Sequence, residues 1–315
     1  MIETTQRQAG PGETQLEATS RCGFIALIGA PNVGKSTLIN ALVGSKIAIV
    51  TPKPQTSRTC LRGIAVVDGA QLIFVDTPGI FVPKRRLDRA MVKKAWECAH
   101  EADIIGVMLD AKRGLDETGG MVLDQIAGLK QAKILLINKI DLIDKPRLLE
   151  IVRDANARIP FAATFMISAL AGDGVSDVKT WLASNVPSGP WHYPPDQLTD
   201  APLRQLAAEI TREKVYLSLH QELPYQITVE TERWEERKDG SVRIEQTIYV
   251  ERESQRKIVL GKTGRSIKAI GSEARREIAE MIDAPVHLFL FVKVRERWSD
   301  DPERYQAMGL QFPGN

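Results

Sequence analysis

The order of apolar runs in this 315-residue chain predicts a doubly wound, mixed but mostly parallel α/β sheet over residues 22–186, followed by an α+β unit over 201–315. Three observations predict it. Short, continuous apolar runs alternate with stretches of helical spacing through the first half. A glycine-rich turn joins the first run to the first helix. A segment holding four prolines, 187–200, then separates two halves of different element order.

Residues 1–21 are rich in Gln, Thr, Glu and Gly and poor in apolar side chains, so they are expected to form a flexible tail. Gly23 to Ile28 is too short for a helix and reads as a strand buried on both faces. Runs at Ile64 to Val67, Gln71 to Val75, Asp103 to Leu109, Ala132 to Ile137 and Thr164 to Ile167 predict further strands, with helices around 34–43, 84–101, 117–130, 146–158 and 175–185. Asp68-Gly69 predicts one antiparallel hairpin at the sheet edge. The prolines of 187–200 predict a stiff linker. Beyond it come a helix over 202–220, strands over Tyr225 to Arg233 and Val242 to Val250 about Asp239-Gly240, helices over 254–260 and 265–282, and a strand over Val286 to Val294.

Lys and Arg number 42 against 40 Asp and Glu, which excludes a wholly basic coat protein and an acidic tail protein. No apolar run approaches the roughly 20 residues of a membrane-spanning helix, and the N-terminus lacks the pattern of a secretion signal. Cys22, Cys60 and Cys98 are too few and too scattered for a disulfide framework or a zinc site. A reducing cytoplasm is expected.

Gly29-Ala30-Pro31-Asn32-Val33-Gly34-Lys35-Ser36-Thr37 matches GxxxxGK[ST] between a buried strand and a helix, the context of a phosphate-binding loop. Its backbone N–H groups, from Asn32 and Val33 to Thr37, are expected to cradle phosphates. Lys35 should reach the β and γ phosphates, and Ser36 should ligate Mg²⁺. Asp76-Thr77-Pro78-Gly79 ends the hairpin, where Asp76 can hold Mg²⁺ through water and the Gly79 N–H can meet a γ-phosphate. Asn138-Lys139-Ile140-Asp141 follows the fifth run, at the strand ends where doubly wound sheets bind ligands. A carboxylate at Asp141 can accept from both N1–H and the 2-amino group of guanine, and adenine offers neither donor, so GTP and GDP are predicted. Ser168-Ala169 should present a backbone N–H to guanine O6.

These four motifs, in this order, resemble the GTPase domain of the translation-factor-related class, and GxPNVGKST with a QTxR stretch resembles the Era family. Gln55-Thr56-Ser57-Arg58-Thr59 matches that family's switch I motif, which implies that Thr56 or Ser57 gives the second Mg²⁺ hydroxyl. Switch II would follow Gly79 through Lys84-Arg85-Arg86. Ile80 stands where many GTPases place a water-orienting Gln; the resemblance implies slow basal hydrolysis and a K⁺ ion held by Asn32. The implied catalytic set is Lys35, Thr56, Ser57, Gly79 and Ile80.

In the second half, Gly261-Lys262-Thr263-Gly264 joins two predicted helices and resembles the GxxG loop of a type II KH domain, which grips nucleotide backbones. Seven basic residues against one acid, Glu273, lie between Arg256 and Arg276, a local charge that suits phosphate contacts. Arg256, Lys257, Ile258, Gly261, Lys262, Thr263, Gly264, Arg265 and Lys268 are the expected RNA-binding set, while Ile258, Ile267 and Ile270 line either a base groove or the core. Trp298-Ser299-Asp300-Asp301 is similar to the family's C-terminal segment.

The resemblance spans Cys22 to Leu310. It implies a cytoplasmic, monomeric GTPase that binds the 3′ end of small-subunit (16S) ribosomal RNA and assists assembly of the small subunit, with peripheral contact at the inner face of the cell membrane and no role for DNA. Two other readings stay open: a constitutive KH scaffold with structural nucleotide, and a small-molecule kinase, which Asn138 to Asp141 disfavours. Gly10 to Glu17 is similar to a phrase in the HflX GTPases, whose long helical region is absent, and a single P-loop excludes the double GTPase Der.

Overall fold

The computed structural model describes residues 20–53, 57–58, 60–219 and 226–313. Six strands form one sheet in the order β2-β3-β1-β4-β5-β6: β1 (Arg21–Ile28), β2 (Leu61–Val67), β3 (Ala70–Asp76), β4 (Ile104–Asp110), β5 (Ala132–Asn138) and β6 (Ala163–Ile167). All neighbours run parallel except β2 and β3. These two turn at Asp68 (φ 49°) and Gly69 (φ 79°), both left-handed as a tight hairpin requires.

Strand periodicity sends neighbouring residues of β1 to opposite faces. Ile25 and Leu27 enter the core shared with α1 (Lys35–Val43) and α5 (Val175–Asn185). Ile28 enters the one shared with α2 (Arg86–Glu101), α3 (Glu117–Ile126) and α4 (Lys145–Asn156). With both faces covered, no strand needs a polar side, which is why the runs are continuously apolar. The third helix ends at Ile126 rather than near 130, where Gly128 disfavours continuation and Leu129 N–H closes a turn on Ile126 O.

The second half contains α6 (Leu203–Ser218), β7 (Ile227–Glu236), β8 (Val242–Val250), α7 (Glu253–Leu260), α8 (Arg265–Ile282), β9 (Val286–Val294) and α9 (Pro302–Ala307). The sheet order is β7-β8-β9, antiparallel then parallel, so α7 and α8 form the crossover that a parallel pair requires. Helices α6 and α8 bury Ile210, Val215, Ile270 and Ile278 against Ile227, Ile244 and Ile248. The expected α-β-β-α-α-β order is observed, with α9 added; Tyr225, the expected start of β7, lies outside the described residues, as do residues 1–19 of the expected tail.

The proline-rich stretch runs beside β2: Ile64 N–H donates to Leu198 O at 2.8 Å and Gly63 bridges Thr199. Gln71 Oε1 accepts from the His192 and Tyr193 N–H groups at 2.9 and 3.0 Å. The C-terminal segment buries Trp298, Tyr305 and Leu310 against Leu87, Ala90 and Met91 of α2.

Candidate functional site

A cavity of about 540 Å³ opens at the carboxyl ends of the large sheet, walled by the loop after β1, residues 49–52, Gly79, Asp141 and Leu170. Glycine shapes its floor. Gly34 is left-handed (φ 101°), and a Cβ there would lie 2.3 Å from Asn138 Nδ2. A Cβ at Gly79 would meet the Pro31 backbone at 2.9 Å, so the Asp76–Gly79 loop presses directly on the phosphate-binding loop. The first turn of α1 has neither a side-chain cap nor an acidic residue, leaving its N–H groups to an anion. Thr37, in that turn, also lines the cavity.

Lys35 curls back over the loop, its Nζ 3.2 Å from both Gly29 O and Ala30 O. Burial lowers its pKa to about 8, against the pull of Asp76. Phosphate oxygens would hold the lysine charged, so binding above pH 8 must take up a proton and affinity must fall as pH rises. A decline of about tenfold in GDP or GTP affinity is expected between about pH 7 and 9. Fluorescent-nucleotide titration checks this; wild-type affinity that varies with pH no more than that of Lys35→Met would mean that Lys35 is already charged before nucleotide binds.

Ser36 Oγ and Ser57 Oγ both donate to Asp76 Oδ2, at 2.8 and 2.9 Å, and lie 3.0 Å from each other. The other carboxylate oxygen, Asp76 Oδ1, is buried without a hydrogen-bond partner. Burial raises the Asp76 pKa, opposed by Lys35 and the two hydroxyls. An all-oxygen set with an unsatisfied carboxylate oxygen fits a hard divalent cation such as Mg²⁺. Of the two expected hydroxyls, that of Ser57 reaches Asp76; Thr56, with Gln55 and Thr59, lies outside the described residues.

At the far end, Asn138 lines the cavity and braces two loops. Its Nδ2 donates to Val33 O at 2.8 Å, and its Oδ1 accepts from Ala169 N–H at 2.9 Å. Ser168 N–H donates to Asp173 O at 3.0 Å, so a guanine O6 would share the Ala169 donor with Asn138. Lys139, left-handed at φ 66°, stretches over the loop to Asn32 O (2.7 Å) and Asp110 Oδ2 (2.6 Å). Asp141 stands in a short 3₁₀ turn, Ile140–Leu142, lining the cavity.

One expected role changes. Ile80 is buried in the core with α3 and α4, its N–H on Gly29 O at 3.0 Å, so it fixes the loop and does not face a reacting water. Asn32 (φ 63°) donates its side-chain amide to Pro52 O at 2.8 Å, tying the phosphate loop to the following segment.

The second candidate site is the turn between α7 and α8. Gly261 (φ 70°) has no room for a Cβ, which would meet Ser266 N at 2.9 Å; Thr263 (φ 55°) and Gly264 (φ 76°) are also left-handed. This backbone turns outward the side chains of Lys262, Thr263 and Arg265, which are exposed, as are Lys257 and Lys268. Ile258 is 55% exposed beside them, whereas Ile270 is fully buried and Ile267 packs on the core. Arg256 pairs locally with Glu253 at 2.9 Å and Val292 O at 3.3 Å, with its side chain partly exposed.

Sequence reasoning missed the residues that join the two sites. Residues 46–53 dock along α6: Glu213 accepts from Lys46 Nζ at 2.6 Å and from Val50 N–H at 2.8 Å, and Lys53 Nζ donates to Tyr216 O and Leu219 O. Arg58 is buried, donating to Ile227 O at 2.8 Å and Tyr216 Oη at 2.7 Å with Trp298 stacked at 5.5 Å. Burial lowers its pKa, partly offset by Tyr216.

Residues 24–139 match the family described as 50S ribosome-binding GTPase, and residues 222–299 match the KH domain. GTPase Era of Bradyrhizobium sp. strain BTAi1 is 64% identical over 310 residues, 98% of this chain and 99% of that one. GTPase Era of Brucella suis biovar 1 is 62% identical over 302 residues, covering 96% and 97%. A crystal structure of Era in complex with MgGDPNP and nucleotides 1506–1542 of 16S ribosomal RNA superposes with a TM-score of 0.88 at 36% identity, covering 92% of this chain and 99% of that one. A variant of Aquifex aeolicus Era bound to GDP·AlF₄⁻ gives 0.87 at 36% identity over the same shares.

Proposed function

This chain belongs to the Era family of GTPases, and on that premise we propose that it is a switch in which bound GTP sets the hold of its KH domain on the 3′ end of 16S ribosomal RNA during assembly of the small ribosomal subunit. One observation carries the reading. Consecutive residues face the two sites: the Ser57 hydroxyl sits on Asp76, and the Arg58 guanidinium is buried against β7 and α6. Ordering of this segment by a γ-phosphate therefore has a direct mechanical route into the RNA-binding half.

In the GTPase reaction, Lys35 exchanges its two carbonyl partners for β- and γ-phosphate oxygens, and the N–H groups of the loop and of α1 stabilise charge building on the leaving oxygen. Ser36, Ser57 and Asp76 would hold Mg²⁺, which when bound neutralises charge on the phosphate oxygens. With Ile80 in the core, the side chain after Gly79 orients no water, so basal hydrolysis is slow. The test is GTP hydrolysis with and without a short RNA copying the 16S 3′ end, in K⁺ and in Na⁺ buffer. RNA stimulation supports the switch, and K⁺ dependence would assign an ion to Asn32. A rate indifferent to RNA, with GTP still bound, would favour a constitutive scaffold.

On the RNA side, Lys262→Asp with Arg265→Asp is expected to weaken binding of that RNA by about 10²-fold and to reduce the salt slope by about two. Filter binding at several salt concentrations reads both, and unchanged affinity would place the surface elsewhere. The reading includes a cytoplasmic monomer. Peripheral membrane contact, a further part of it, is read by co-sedimentation with lipid vesicles; no described helix is long and apolar enough to cross a membrane.

A further inference from the structure

The chain's three cysteines are free thiols, and two of them meet. Cys60 Sγ and Cys98 Sγ stand 2.8 Å apart, 38 residues apart in sequence, sharing a hydrogen bond. Neither takes part in the nucleotide or RNA sites. Cys60 lies two residues after Arg58 and immediately before β2, and Cys98 lies near the end of α2. A separate cavity of about 480 Å³ reaches both residues and has Lys94 in its wall.

The pair is chemically unequal. The shared hydrogen bond and the Lys94 ammonium lower the Cys98 pKa, while the same bond and burial raise that of Cys60. The Lys94 ammonium in the shared cavity wall therefore favours the thiolate at Cys98. Cys22 offers a contrast: it is buried in β1 with its thiol toward Gln71, and burial raises its pKa.

We propose that Cys60 and Cys98 are a modification site, a dithiol that a low-molecular-weight disulfide such as glutathione disulfide converts reversibly to an intramolecular disulfide. The sulfurs need to close by less than about 1 Å to reach the roughly 2.05 Å of an S–S bond. The Cys98 thiolate attacks one sulfur of glutathione disulfide; that S–S bond breaks, and the departing glutathione thiolate takes up a proton. Cys60, its proton lost to solvent, then attacks the Cys98 sulfur and expels the second glutathione. The protein gives up two electrons and two protons, and both appear in two molecules of glutathione.

The bond would close a loop containing β2, β3 and the Asp76–Gly79 segment, stapling the end of switch I to the helix of switch II. A transient, sensing disulfide of this kind is the form compatible with a reducing compartment.

The test is thiol titration of the full-length chain equilibrated at increasing ratios of glutathione disulfide to glutathione, followed by non-reducing peptide mapping. Two of the three thiols should disappear together, with the Cys60 and Cys98 peptides joined, and dithiothreitol should restore both. A Cys22→Ser chain should lose both of its remaining thiols in the same way. Three thiols persisting at the most oxidising ratio, or glutathione found separately on Cys60 or Cys98 without a bond between them, would overturn the proposal.

Discussion

Asp141→Asn is expected to lower GTP affinity by about 10²- to 10⁴-fold and to make xanthosine triphosphate the preferred ligand. The reasoning rests on proton inventory. Guanine presents two donors, N1–H and the 2-amino group, to two carboxylate oxygens, and each charge-assisted bond contributes about 1.5–3 kcal/mol. Asparagine keeps one acceptor and replaces the other with an NH₂ group, which meets the 2-amino group donor to donor. Xanthine has a carbonyl at that position and accepts from the new amide. The turn carrying residue 141 is set by Lys139 in the left-handed region and by Leu142 N–H on Lys139 O, so an isosteric exchange leaves it in place. Competition between the two triphosphates reads the outcome directly. A variant that still prefers GTP would remove Asp141 from the base site.

Arg58→Ala should abolish stimulation of hydrolysis by RNA and destabilise the chain by about 2–5 kcal/mol. Arg58 spans the boundary between the halves, from the segment beside Asp76 to Ile227 O, Tyr216 Oη and the face of Trp298. Truncation removes the donor to the Ile227 carbonyl and one partner of the Tyr216 hydroxyl, and opens a space under a fully buried tryptophan. Arg58→Lys keeps a charge but not the planar fork that reaches both oxygens, so it should recover only part of the coupling. Hydrolysis assayed across an RNA titration, alongside thermal unfolding, separates the two effects. Full RNA stimulation in Arg58→Ala would mean that the signal crosses the boundary by another route.

The elements were legible because both sheets obey simple periodicity. Buried parallel strands are continuously apolar, and the boundaries of β8, α8 and β9 coincide with the predicted ones because turn residues or the GxxG loop mark their ends. The phosphate site was legible for a related reason: a loop that must let N–H groups converge on phosphates has few usable residues, and Gly34 and Gly79 have no room for a Cβ. Long-range polar contacts were not legible. Nothing local in Arg58 or Lys53 says that its partners lie more than 150 residues away on α6 and β7. The role of Asn138 could be read from its motif, but its brace between Val33 and Ala169 could not, because it depends on how three loops converge. Ile80 was read by its neighbour Gly79, but its hydrophobicity takes it into the core.

The proline-rich segment beside β2 also has a meaning in time. Synthesis delivers the large sheet before the strip that covers its rim. Until residues 187–200 arrive, the N–H of Ile64 and its neighbours on β2 face outward, an unpaired template for any extended chain nearby. At about 5–20 residues per second, this exposed interval lasts on the order of a second or a few. The bridge at Leu198 and Thr199 then occupies that donor, and the four prolines before it, which carry no N–H, offer no full new edge.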